Sequence, residues 1–211
     1  MKTLTKEIQT SISPEKAIEI LKTGNERFVN NLKANRNLLQ QVNETSDGQH
    51  PFAVILSCID SRTSAELIFD QGLGDIFSIR IAGNILNEDI LGSMEFACKI
   101  AGAKAAVVLG HSKCGAIKGA CDNVEMGNLT ALLTKIRPAV DDELIIKENR
   151  NSSNAEFVEK VAVINVKRTV KAIMERSPIL NEMIKTGELD LLGGMYDVET
   201  GVVTFYQNRE L

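Results

Sequence analysis

The chain has no surplus of positive charge. Its 24 Lys and Arg are outnumbered by 28 Asp and Glu, for a formal net charge of -4. That leaves no basic footprint for a nucleic acid and no polybasic patch for an anionic membrane. No stretch approaches the roughly 18 apolar residues of a membrane span. Met1 to Thr10 is charged or polar where a secretory signal would carry its apolar core, so a cytoplasmic location is expected. Internal repeats, low-complexity tracts and Pro/Gly linkers are also missing. Cysteine is scarce at four residues, too few to read as a disulfide framework in a cytosolic protein. Histidine is scarcer still: His50 and His111 are the only two, so chemistry that needs an imidazole has few places to go.

What is present is an ordinary globular balance, 44% hydrophobic and 25% charged over 211 residues. That length fits one domain with a single large core. We expect residues 1–48 to form a helical N-terminal arm and residues 49–211 an α/β core. In the arm, S-P-E-K-A-I-E-I-L-K opens a helix with Ser13 as cap and Pro14 in the first position. Ala17, Ile20, Leu21 and Phe28 share one face of it. Asn30 to Gln49 reads as loop or frayed helix. Phe52 to Leu56 and Ala105 to Leu109 are unbroken apolar runs, the signature of strands buried on both faces. Ile76 to Ile81 is a third strand. Helical patterns at Ser64 to Asp70 and Glu88 to Ile100 separate them, which implies a mostly parallel sheet with crossover helices. Beyond Cys114 the pattern is helical to about Ile184. Val161 to Val166 is compatible with a strand, but its polar flanks favour a helix over Ala155 to Met174. Two C-terminal strands around a turn at Glu199 to Gly201 complete the sheet at its edge.

Ligands of an open parallel sheet bind beyond the carboxyl ends of its strands. There the sequence places S-C-I-D-S-R, Ser57 to Arg62, after the first run, and G-H-S-K-C-G-A, Gly110 to Ala116, after the second, Ala105 to Leu109. If those strands are neighbours, Cys58, Asp60, His111 and Cys114 converge. Two thiolates and an imidazole are a zinc set, and three such ligands with a fourth position open make a catalytic one. His111 and Cys114 form a short chelating pair, and Cys58 closes the set from afar. The fourth position falls to water or to Asp60. Each feature alone is commonplace. A cysteine after a buried strand is usually a small core residue, and an Asp-x-Arg triplet is usually a surface ion pair. Their coincidence at two strand ends is what argues for a metal. Cys98 reads as core, and Cys121 has no assigned partner. Arg62 beside Asp60 favours the ionised carboxylate, which next to a zinc-bound hydroxide accepts its proton and aims its lone pair. A nucleophilic Cys58 activated by Arg62 is the weaker reading, because the only nearby histidine is then committed to metal.

These motifs resemble those of the beta-class carbonic anhydrases. C-I-D-S-R matches that family's Cys-x-Asp-x-Arg, and G-H-S-K-C-G-A its His-x-x-Cys. Glu66 to Asn84 and the final G-G-M-Y-D-V-E-T-G-V-V are similar as well. The resemblance implies hydration of carbon dioxide to bicarbonate and a proton, with one zinc per subunit on Cys58, His111 and Cys114. It implies Asp60 and Arg62 as the catalytic dyad. It puts Gln49, nine residues before Cys58, and Phe77 in a substrate pocket to which the neighbouring subunit contributes both. A homodimer is then the minimum, with a tetramer within the family's range. Carbon dioxide would sit near Phe77 and Ala82, and His50 is a candidate proton shuttle. One departure matters. Members that let the aspartate bind zinc at low pH carry a tryptophan three residues before the first cysteine, where this chain has Ile55, and it has no tryptophan anywhere. The expectation is an open position at neutral pH, with Asp60 a conditional fourth ligand. A carbonyl sulfide or carbon disulfide hydrolase, and a non-catalytic zinc-containing homologue, are the alternatives on the same scaffold.

Overall fold

The computed structural model describes residues 3–206. Five strands form one sheet: β1 (Ala53–Ser57), β2 (Ile76–Arg80), β3 (Ala105–His111), β4 (Asp190–Tyr196) and β5 (Val203–Tyr206), in the order β2-β1-β3-β4-β5. The first four run parallel, and β5 returns antiparallel to β4. The apolar run at β1 has no polar alternation because both its faces are covered. Val54 and Leu56 enter the core on one side of the sheet, and Ala53 and Ile55 enter the core on the other.

The N-terminal arm holds α1 (Lys6–Ser11), α2 (Pro14–Val29) and α3 (Leu38–Glu44). Ser13 caps α2 by accepting from the Lys16 N–H at 3.2 Å, with Pro14 in the first turn. Ala17 and Leu21 are buried as expected, together with Ile18, while Ile20 and Phe28 are half-buried. Within the stretch read as loop or frayed helix, Asn37 caps α3 through the Gln40 N–H.

The remaining helices are α4 (Ala65–Ile68), α5 (Glu88–Glu95, widening into a π turn over Phe96–Ile100), α6 (Gly115–Cys121), α7 (Gly127–Thr134), α8 (Arg137–Asp142), α9 (Ala155–Arg176) and α10 (Pro178–Lys185). Helix wins over strand at 161–166. Val158, Val161, Ala162, Asn165, Val166, Thr169, Val170 and Ile173 are all buried at three-and-four spacing. Helices α2 and α4 cover one face of the sheet, and α5 to α10 cover the other. The arm is tied to the sheet layer by the Gln9 amide, which donates to the carbonyls of Pro51 and Ala101 at 2.7 and 2.8 Å. Among the described residues no helix is long and apolar enough to cross a membrane.

Topology selects the site. From β1 the chain crosses to β2 on one side, and from β3 it crosses to β4 on the other. The crevice beyond the carboxyl ends of β1 and β3 is the switch point where such sheets bind ligands.

Candidate metal centre

Both motifs open into that crevice. β1 ends at Ser57 and delivers Cys58. β3, paired directly with β1, ends at His111. Lys113, with φ of 58°, turns the chain so that Cys114 follows at the head of α6. The ligand atoms of Cys58, His111 and Cys114 lie within 4.8 Å of one another, and all three residues are buried. The two sulfurs are 4.0 Å apart. Sulfurs at zinc–thiolate bond length on a tetrahedral centre would stand about 3.8 Å apart.

The histidine supplies the test of fit. Its Nδ1 lies 2.9 Å from the Ser112 carbonyl oxygen, an acceptor, so Nδ1 carries the hydrogen and Nε2 the lone pair. That Nε2 is buried and has no hydrogen-bond partner among the described residues. A buried, unpaired lone pair facing two thiols is costly in a bare protein and is satisfied by a cation. The sulfurs fit the same group. Donation from Cys114 holds the Cys58 thiol well below its ordinary range, and the same contact, with burial, pushes Cys114 up.

Asp60 and Arg62 form a forked ion pair. Arg62 Nε donates to Oδ1 at 2.9 Å, Nη2 to Oδ2 at 2.8 Å, and its backbone N–H to Oδ1 at 3.0 Å. Those hydrogen bonds hold the Asp60 carboxyl far below the usual carboxylate range, against the smaller effect of burial.

The sequence profile described as carbonic anhydrase matches residues 53–203. The chain belongs to the beta-carbonic anhydrase family. It is 36% identical over 197 residues to carbonic anhydrase 2 of Mycobacterium tuberculosis, covering 90% of this chain and 91% of that one. Against the carbonic anhydrase of Mycolicibacterium smegmatis the identity is 31%, over 90% and 92% of the two chains. In structure it is similar to the beta-carbonic anhydrase CafA of Aspergillus fumigatus, with a TM-score of 0.72 at 27% identity over 80% and 81% of the chains.

Within this beta-carbonic anhydrase the residues named from sequence divide into two groups. Cys58, His111, Cys114, Asp60 and Arg62 converge at the crevice, and Ala82 adjoins it through Gly83, whose N–H donates to Cys58 Sγ at 3.4 Å. Gln49 and Phe77 do not join them. Gln49 precedes β1, exposed, and Phe77 pairs in register with Val54, four residues before Cys58. At about 3.3 Å of rise per strand residue, that sets Phe77 about 13 Å back along the sheet from its own chain's Cys58. His50 lies at the same far end. Cys98 and Cys121 are buried and unbridged, with burial pushing their thiols up to about 12 and about 11.

Three residues that hold the cysteine loop carry no role in the reading from sequence. Arg80 donates to the carbonyls of Cys58 at 3.0 Å and Asp60 at 2.6 Å. Thr63 Oγ1 lies within hydrogen-bond distance of the same two oxygens. Gly83 sits at φ of 67° between Ile136 and Ala116. A glycine three residues past the end of β2 is the one sequence signal for such a turn.

Proposed function

We propose that the chain is a zinc carbonic anhydrase, hydrating carbon dioxide reversibly to bicarbonate and a proton. The observation that carries this is the orphaned Nε2 of His111 within reach of the Cys58 and Cys114 sulfurs, in a chain of this family. One zinc per subunit would take those three ligands, acting as a Lewis acid that lowers the pKa of water, as zinc does to about 7 in the three-histidine carbonic anhydrases. Both Asp60 oxygens are engaged by Arg62, which supports a fourth coordination position left to solvent rather than to the carboxylate.

The chain's own residues do the rest. Asp60, kept ionised, can only accept a hydrogen bond. It would accept a hydrogen bond from the attacking oxygen and so turn a lone pair toward the carbon. Arg62 fixes the carboxylate in that pose. Arg80 and Thr63 hold the backbone of the loop that carries both Cys58 and Asp60. Ala82 gives apolar lining for a small, uncharged substrate. Gln49 and Phe77 reach a site only as the neighbouring subunit's contribution, so the working unit is a homodimer or a larger assembly. Two beta-carbonic anhydrases of Sordaria macrospora are tetrameric. The arm's bonds to Pro51 and Ala101 support a single unit of arm and core over the described residues 3–206, and four unbridged cysteines suit a reducing compartment such as the cytoplasm. Stopped-flow hydration of carbon dioxide on protein of counted zinc content tests the proposal. Turnover that scales with zinc and is lost on chelation is the expected result. Full zinc with negligible hydration between about pH 7 and 9 would overturn it.

A further inference from the structure

Asn165 is a buried amide on the core-facing side of α9, among Val161, Ala162, Val166 and Thr169. An aliphatic side chain would fill that position without the cost of burying a polar group. Its Nδ2 donates at 2.9 Å to the carbonyl oxygen of Gly83. The N–H of the same Gly83 donates to Cys58 Sγ. The glycine is confined on its other sides. A Cβ there would stand 2.5 Å from Ile136 Cδ1 and 3.3 Å from the Ala116 Cβ, and its φ is 67°. The amide therefore sets where the glycine lies, and the glycine sets where an N–H points at a sulfur.

We propose that Asn165 is a positioning residue for the metal ligand Cys58, acting through the backbone of Gly83. A hydrogen bond to a ligating thiolate fixes its orientation and withdraws charge from it, and such outer contacts tune metal affinity. Helix α9 thereby reaches the metal centre without touching it. This rests on the reading of Cys58 as a metal ligand, so the test reads the metal and not turnover.

The experiment uses the full chain loaded with cobalt(II), comparing Asn165→Leu, Asn165→Asp and, as control, Thr169→Val one turn along the same buried face. The readouts are the sulfur-to-cobalt charge-transfer band and zinc affinity by chelator competition. Asn165→Leu should bind zinc about 10-fold or more weakly with a shifted band, and Asn165→Asp, similar in shape but an acceptor facing a carbonyl, should do the same. Thr169→Val should leave both readouts as in the wild type. Wild-type readouts in both Asn165 variants would overturn the proposal, and so would an equal loss in Thr169→Val, which would make the effect one of helix packing. If the leucine variant does not fold, the aspartate variant decides alone. A wild-type chain that takes up no cobalt would overturn the metal reading itself, a result distinct from the other two.

Discussion

At the scale of single residues, the Asp60–Arg62 fork separates holding a metal from using it. The carboxylate is absent from the Cys58, His111 and Cys114 cluster, yet it leaves the same loop two residues after Cys58. Asp60→Asn keeps the shape and offers an N–H where an acceptor is needed. Zinc content should stay at the wild-type level while turnover falls by about 100-fold or more, the usual weight of a positioned proton acceptor. Atomic absorption and stopped-flow hydration on one sample check it, and full activity would remove Asp60 from the mechanism. The residues that carry chemistry in their side chains were legible in the sequence, because sulfur, imidazole and a carboxylate with a guanidinium are rare in such spacing. Arg80, Thr63 and Asn165 were not, because each acts on a main-chain carbonyl. Which carbonyl a donor finds depends on the fold and leaves no mark in residue type.

At the scale of elements, the arm is locked to the core by contacts between helices. Asp70, with φ of 45° just past α4, binds Arg27 Nε and Arg36 Nη1 at 2.5 Å each and accepts from the Ala34 N–H at 3.1 Å. Burial alone would raise its carboxyl, but the arginines and the backbone donor outweigh it and the net shift is downward. Its contribution is therefore complete above an unfolded value of about 3.9 and is lost as pH falls through the lower folded one. Asp70→Asn leaves the arginines without their anion, and breaking such a buried pair costs about 3 kcal/mol. At about 2–4 °C per kcal/mol for this size, Tm at pH 7 should drop by about 6–12 °C. Between pH 4 and 3 the variant should lose less further stability than the wild type, and parallel melting curves at both pH values would refute the assignment. Gly24 of α2 is the second lock, since a Cβ there would lie 1.8 Å from the Phe69 carbonyl oxygen. Alanine gains about 1 kcal/mol of helix propensity, but overlap with backbone costs about 2–3 kcal/mol. Gly24→Ala should thus melt lower, and a rise in Tm would show that α2 is free to shift. Strands β1 and β3 were readable from composition because burial on both faces forbids polar residues. Helix α3 was less so, because its Asn- and Gln-rich sequence buries only Gln41. That β4 lies inside β5 follows from pairing, and no single strand's sequence encodes it.

At the scale of the whole molecule, the sheet separates two parts of one proposed active site. Cys58 leaves the carboxyl end of β1, while Gln49 enters its amino end and Phe77 sits on the outermost strand, β2, edge-on to Phe96 at 6.4 Å. No rotamer of Gln49 spans a strand of five residues to its own chain's metal centre. If Gln49 steadies substrate, it does so in the partner's site. Gln49→Ala should lower kcat/KM about 10-fold, the weight of one hydrogen bond to substrate, and Cys58→Ser should abolish activity by removing a ligand. Chains carrying one substitution each, with different affinity tags, can be co-expressed and the doubly tagged dimer isolated. With Gln49 donated across the interface, that dimer holds one complete site and one dead site, and should show about half the wild-type activity. With Gln49 serving its own chain, the same dimer would hold one impaired site and one dead site, and show about a twentieth. The outcome near one half would make the dimer the catalytic unit. The outcome near one twentieth would require the segment before β1 to fold back over its own chain's crevice, against the Gln9 contacts that pin α1 to Pro51 and the sheet layer.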